Sequence, residues 1–521
     1  MHLFPVHILR PLVSVIERGI SLSVCMLFFF GSAGAQIYVS PLGNDTLSGT
    51  IDLPYETITK AHSVALAGDT IYVRGGVFDS LTTTTTLSKV GSAASRYYLF
   101  AYPGERPLLD FSLMPVNSSN RGIRVTGAYW HVKGLDIKGA GDNGMHVSGS
   151  NNIIEFCSFF ENMDTGLQLS NGAASNQVIN CDSYHNADTS QGNADGFAPK
   201  LDVGTGNFFY GCRAWENSDD GFDGYLRPSD NVETIIVNSW VFKNGYLKNG
   251  SASTGNGNGF KMGGSDAPSL LRHDVILKNC LAFDNRVKGF DQNNNKGSMT
   301  LLHCTGYGNG TNYSIFGALA AGEYLTLTNC AVLGNLGALA SFAIQQTNSW
   351  TDSFVVTTDD FLSIDTTGVR GPRQSDGSLP EVPFLHLAGG SDLIDGGTDI
   401  GKDFNGVAPD IGAFESGPPT SVPGIALRPS SFLTVRNYPN PFNPSTTIDY
   451  EIPGPGTAVI GIFDISGRHL RTLIGDHPRG GRFRVQWDGT NGSSRQVASG
   501  IYFAVVHFGS QQATVKMQLV R

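Results

Sequence analysis

The sequence predicts an all-β protein in which a parallel β-helix is followed by a small β-sandwich. Three observations lead there. Six of the seven cysteines share one local frame that recurs through the middle of the chain. A Gly-Phe pair recurs at matching intervals. The composition favours turns over helices: 65 glycines, only 15% charged residues, and no long amphipathic helical pattern after residue 70.

Residues 1–35 carry the features of a signal peptide. Arg10 and Arg18 precede the apolar run "ISLSVCMLFFF", and Ala33-Gly34-Ala35 offers an A-x-A cleavage site. The apolar core is short for a bilayer span, so an exported chain with no transmembrane span after cleavage is expected. The formal net charge of −10 disfavours nucleic acid and anionic membranes as partners. A polyanionic ligand would need local cations or a metal ion to hold it.

The repeat is the main argument for residues 36–416. Cys157, Cys181, Cys212, Cys280, Cys304 and Cys330 are each followed five residues later by Asn162, Asn186, Asn217, Asn285, Asn309 and Asn335. A further copy has Ser239 in the cysteine place and Asn244 at its end. Successive frames lie 24, 31, 27, 41, 24 and 26 residues apart, a period suited to one coil of a β-solenoid. Equivalent residues then stack along the axis, with the cysteines as an inward column of free thiols and the asparagines as a hydrogen-bonded ladder at a turn. Stacked cysteines reach disulfide distance but rarely the right orientation, so free thiols are favoured over bridges. The two long intervals contain "ADTSQGNA" and "GYLKNGSASTGNGN", insertions that both precede Gly-Phe motifs and mark the binding face.

Aligning those motifs gives an apolar column of Leu167, Phe197, Phe222, Phe260 and Phe290. The following residues, Gln168, Ala198, Asp223, Lys261 and Asp291, point the other way on a strand. Asp223, Lys261 and Asp291 are therefore expected on one outer face in three successive coils. The residues two before the aromatic are Asp195, Asp220, Asn258 and Lys288, and the intervening glycine permits a bend that aims them at the same groove. Asp195, Asp219, Asp220 and Asp223 would then crowd together and repel unless a cation sits among them. Several flexible carboxylates suit Ca²⁺ better than Mg²⁺. The plainer reading is that Asp-Gly pairs only form turns. For Lys261 the two readings are a solvated surface lysine, or a general base whose pKa is lowered by a neighbouring divalent cation.

Through residues 120–320, "NADGFAPK", "GCRAWENSDDGFDGY", "GNGFKMGG" and "KGFDQNNN" resemble polysaccharide lyase family 9, which includes calcium-dependent pectate lyases on right-handed parallel β-helices. The resemblance implies that Asp195, Asp219, Asp220 and Asp223 bind Ca²⁺. It also implies that Lys261 is the base that takes the C5 proton of a uronate. Asp291, Lys288 and Arg213 are weaker candidates for substrate contact. The implied activity is a secreted lyase that cleaves acidic pectic polysaccharide such as polygalacturonate by β-elimination, with rhamnogalacturonan as an alternative substrate. Rival classes are a β-helix glycoside hydrolase using Asp220 and Asp223, and a non-catalytic binding protein or adhesin whose coil is stiffened by Ca²⁺.

The segments "IYVSPLGNDTLSGT" and "DLIDGGTDIGKDFNGVAPDIGAFESG" resemble the first coils and the closing segment of secreted bacterial β-helix proteins. Residues 417–431 read as a Pro/Ser-rich linker. Residues 432–521 alternate strand patterns with turns, as an Ig-like sandwich does. They resemble the FlgD-like, type IX secretion sorting domains of bacterial secreted proteins, which implies a role in export or surface attachment. The chain is expected to act as a monomer outside the cell or on its surface.

Overall fold

A computed structural model describes residues 34–417, apart from 267–269, 352–353 and 402–403. It also describes residues 434–520, apart from 439, 453–455, 466–467, 478–480, 493–494 and 509–510. The signal expected over 1–35 and the linker expected over 417–431 lie almost wholly outside the described residues.

Among the described residues, three parallel sheets of 12, 10 and 10 strands wind into a β-helix. From Thr70–Val73 onward each coil visits them in the same order. Val232–Val237 lies in the first sheet, Trp240–Phe242 in the second and Phe260–Lys261 in the third. The chain then returns as His273–Lys278, which pairs in register with Val232–Val237. Short strands require sharp corners, and these are made by residues in the left-handed region. Phe156, Asn180, Asn238 and Asn279 hold φ of 53°, 52°, 50° and 52° immediately before the cysteine place. Asparagine tolerates that conformation better than most residues.

The six cysteines are buried and free. Ser239 occupies the gap in their column, its hydroxyl accepting from the Cys212 amide at 3.2 Å. The asparagine ladder forms as the repeat predicts. The Asn217 side-chain amide donates to Asn244 Oδ1 at 3.0 Å, and that of Asn244 to Asn285 Oδ1 at 2.9 Å. Each Oδ1 also accepts from the backbone amide of the asparagine one coil earlier. Asn335 does not join, contrary to the repeat. Asn309 instead donates to Asn312, and Asn335 is exposed, offering only its carbonyl. A second ladder through Asn152, Asn176 and Asn207 closes another corner.

Inside the third sheet, the rings of Phe197, Phe222, Phe260, Phe290 and Tyr313 stack with successive centroid separations of 5.0, 5.3, 5.4 and 4.8 Å. The helix Ile58–Val64, capped by Thr57, buries Ile58 and Ala61 against the first coils. The last coil strand is Ile344–Gln346. Residues beyond it form an irregular layer over the second sheet, where Phe361, Phe384 and Ile411 pack with Trp215, Phe242 and Phe283. The C-terminal residues form antiparallel sheets of three and four strands around Trp487, Ile448, Ile460 and Ala504.

Asn244→Ala removes the acceptor for two buried donors of Asn217 and both donations of its own amide. It is expected to cost about 3 kcal/mol in urea unfolding, because buried donors are left unmatched. Asn335→Ala is expected to change stability by less than about 0.5 kcal/mol.

Candidate active site

The third sheet carries the candidate site, and in-register pairing assembles it. Phe197, Phe222, Phe260 and Phe290 are Cα partners in successive coils, and so are Asp223, Lys261 and Asp291. Because the rings point inward, the residues that follow them point out of the solenoid. Outward is not exposed here, however. Asp223, Lys261 and Asp291 are all buried, at 4%, 7% and 2% of full exposure. The expectation of an open outer face is corrected: the outward side chains pack on one another, with Lys261 against Asp220, Asp223 and the Tyr225 ring. Thr254 in the second insertion hydrogen-bonds Gln191 and Ser190 in the first. The second insertion also ties down Asp219, whose Oδ1 accepts from the Asn256 amide at 2.5 Å.

Asp195, Asp220 and Asp223 each offer a carboxylate oxygen, and these oxygens all lie within 4.8 Å of one another. Asp195 and Asp220 reach the cluster from the column two residues before the aromatic, which the glycine bend turns toward the outer side. Asp195 Oδ1 accepts from the Asp220 amide at 3.1 Å, fixing one coil on the next. Asp219 stands at the edge of this cluster, outside the three that converge.

Two ammonium groups bracket the carboxylates. Lys261 Nζ lies 3.0 Å from Asp220 Oδ2 and 3.3 Å from Asp223 Oδ1. Lys200 Nζ lies 2.6 Å from Asp195 Oδ2 and 3.5 Å from Asp223 Oδ2. Lys200 was not anticipated from the sequence. Its only signal was its place at the end of "NADGFAPK", one residue past the strand Phe197–Pro199.

The charges are strongly coupled. Burial, reinforced by Asp223 and Asp220 and opposed by Lys200, pushes the Asp195 carboxyl up to about 7. Burial followed by Asp220 pushes Asp219 up to about 9. Burial also raises Asp220. At Asp223 burial acts in the same sense, but Lys261 and Lys200 outweigh it and hold that carboxyl below its ordinary value. Burial alone would lower the pKa of Lys261; Asp220, Asp223 and Asp195 outweigh it and hold the ammonium well above its ordinary value. The lowering expected from the sequence is the effect of a divalent cation beside Lys261; the carboxylates by themselves act in the opposite direction.

The donor set fits a hard divalent cation. It is all oxygen, with three carboxylates converging, as Ca²⁺ prefers. Asp220 Oδ2 is buried without a well-directed hydrogen bond, its neighbour Lys261 making only an off-axis ion pair. The amide oxygen of Asn258, the next residue in that column, is likewise buried and unpartnered.

A family model described as the Pel9A-like right-handed beta-helix region matches residues 37–330. The chain belongs to this family. Pectate lyase L of Dickeya chrysanthemi is 39% identical over 389 residues, which cover 73% of this chain and 90% of that protein. Pectate lyase PEL9 of Emericella nidulans is 33% identical over 406 residues, covering 72% of this chain and 98% of its own. Among solved structures, pectate lyase Pel9A aligns with a TM-score of 0.69 at 37% identity, over 74% of this chain and 97% of that one. A rhamnogalacturonan lyase aligns with a TM-score of 0.61 at 27% identity, over 69% of this chain and 98% of that one.

In this Pel9A-like coil the remaining sequence candidates separate. Asp291 lies beside Lys261 in register, and its Oδ1 accepts from half-buried Lys288 at 3.0 Å. Arg213 does not reach the groove. It lies in the second sheet, paired through two nitrogens with Asp182 and donating to the carbonyls of Val369 and Gly371. It fastens the outer layer to the coil, and the frame that revealed Cys212 gave no sign of that distant partner.

His273 supports the carboxylate turn from beneath. Its ring bridges the Gly224 carbonyl at 2.7 Å and Thr234 Oγ1 at 2.8 Å, and burial lowers its pKa to about 4. The folded protein thus refuses a proton that the unfolded chain accepts below its ordinary value of 6.5. The associated stability is complete above pH 6.5 and is lost as pH falls toward 4, on the order of 3 kcal/mol in all. His273→Gln is expected to remove this part of the acid sensitivity, read as the difference between the two proteins' unfolding free energies from pH 7 to pH 4.

Proposed function

We propose that the protein is an exported lyase that cleaves acidic pectic polysaccharide, polygalacturonate first, by β-elimination in this groove. The observation that carries the reading is the register that sets Lys261 in contact with Asp220 and Asp223, while Asp195 converges on the same point. The curated relatives are pectate lyases at up to 39% identity over most of the chain. The rhamnogalacturonan lyase match at 27% identity keeps that polymer as the second substrate to test.

In this reading Asp195, Asp220 and Asp223 hold Ca²⁺ directly, with Asp219 at the edge of the site. The ion, when bound, supplies positive charge that attracts the uronate carboxylate and stabilises the charge that develops on deprotonation. Lys261 Nζ is the base. Engaging Asp220 and Asp223 elsewhere frees the ammonium from the carboxylates that hold its proton. Its neutral amine then takes the proton at C5, the C4–C5 double bond forms as the C4–O4 bond breaks, and the departing O4 takes up a proton from solvent. The burial of Lys261 keeps these charge effects strong. In the same reading the half-buried Lys288, one coil on and paired with Asp291, meets the neighbouring sugar. A purely structural ion site gains nothing from a lysine in its midst, which argues against the adhesin reading.

Export through residues 1–35, and attachment or sorting through the C-terminal sandwich, complete the proposal. None of the site residues lies in the sandwich.

The test is ultraviolet absorbance of unsaturated uronide, measured on polygalacturonate and rhamnogalacturonan with and without Ca²⁺. Lys261→Ala is expected to lower kcat by about 10²–10⁴-fold or more. Lys261→Arg should do little better, because a guanidinium stays protonated. Retention of most activity by Lys261→Arg would move the base elsewhere. In the same assay, a chain cut after Gly417 is expected to keep its activity on soluble polymer.

A further inference from the structure

The outward row of the third sheet continues well beyond the carboxylates. By register it runs Arg124, His146, Gln168, Ala198, Asp223, Lys261 and Asp291. Ile123 and Val125 point into the core, as do Met145 and Val147, so Arg124 and His146 face the same way as Asp223. Four coil steps, about 19 Å, separate Arg124 from Asp223.

The cations nearer the carboxylates are already committed: Lys200 to Asp195, Lys261 to Asp220, and Lys288 to Asp291. Arg124 is different. It is exposed, and among the described residues no ion pair engages it. Beside it, His146 is only 1% exposed, and its Nδ1 has no partner. The other ring nitrogen meets Ser170 Oγ at 2.8 Å, and Ser170 in turn accepts from Gln168 at 3.1 Å. Burial, with Arg121 and Arg124 nearby, lowers the His146 pKa to about 4, so the ring is neutral. The neutral ring can take the tautomer in which Nε2 accepts from Ser170 and Nδ1–H is an unused donor. Arg121 adds charge but is shared with Asp142 at 3.4 Å.

We propose that Arg124, with His146 beside it, forms a distal subsite that receives a carboxylate of the acidic polysaccharide lying along this row. The proposal rests on the lyase reading for the identity of its ligand. It adds a point of attachment four coils from the chemistry. Such a contact improves binding of a long chain without altering the reacting centre, so it acts on KM and leaves kcat alone.

The experiment compares the full chain with Arg124→Gln, and with Arg468→Gln as a control that removes the same charge in the C-terminal sandwich. Arg124 is exposed, so the fold is not at stake. Loss of one charge-assisted contact is expected to raise KM on polygalacturonate roughly tenfold, with kcat unchanged and a weaker dependence of KM on salt. Arg468→Gln should match the wild type. Retardation in gels containing polygalacturonate gives a readout independent of turnover: Arg124→Gln is expected to migrate faster than wild type. Equal KM and equal retardation in wild type and Arg124→Gln would overturn the subsite while leaving the lyase reading intact. A wild type that neither cleaves nor is retarded by acidic polysaccharide would take both down. A wild type that is retarded but inactive, with weaker retardation of Arg124→Gln, would sustain the subsite and defeat the lyase reading.

Discussion

In-register stacking of the coils is the constraint on which the rest of this structure depends. Backbone pairing fixes the spacing between equivalent residues at about 4.8 Å and leaves side chains no freedom to avoid their counterparts above and below. Where the counterparts are thiols, asparagines or phenyl rings, the result is a column that holds the solenoid together. Where they are carboxylates, the same geometry forces charge together. Asp195 and Asp220 are one coil apart and share a hydrogen bond. They are neighbours because Phe197 and Phe222 are paired beneath them.

That crowding has to be compensated, and the compensation explains the shape of the site. Lys200 and Lys261 each reach Asp223, one at either oxygen. Four carboxylates buried beside two ammonium groups cannot all stay ionised, and Asp195 and Asp219 are pushed toward their protonated forms. The ions are therefore costly to bury and strongly coupled, which is how a site stores electrostatic energy for a cation or a reacting group to release. Fold and chemistry are thus one argument: the aromatic column sets the register, the register sets the carboxylates, and the carboxylates set the state of Lys261.

Much of this was legible in the sequence, for a physical reason. A solenoid is nearly one-dimensional, so spacing along the chain translates directly into rows in space. The cysteine-to-asparagine frame predicted buried thiols and a hydrogen-bonded ladder, and the Gly-Phe pairs predicted which side chains share a row. What escaped was whatever depends on contacts across the coil. Lys200 meets Asp195 around the end of a strand, outside the alternation that placed Lys261. The burial of Asp223 and Lys261 comes with a cluster that also draws in Lys200, Asp220 and the Tyr225 ring, which a one-dimensional pattern does not encode. Arg213 is claimed by Val369 and Gly371, more than 150 residues away. Asn335 fails to extend the ladder because Asn312 takes the place offered by Asn309.

The most direct test of the central claim is a crystal structure of the protein grown with Ca²⁺, read by anomalous scattering. The account predicts a single strong peak among the oxygens of Asp195, Asp220 and Asp223 at about 2.3–2.6 Å, with Lys261 Nζ withdrawn from the shared space. A map with no peak there, and both lysines still paired to the carboxylates at saturating Ca²⁺, would contradict it.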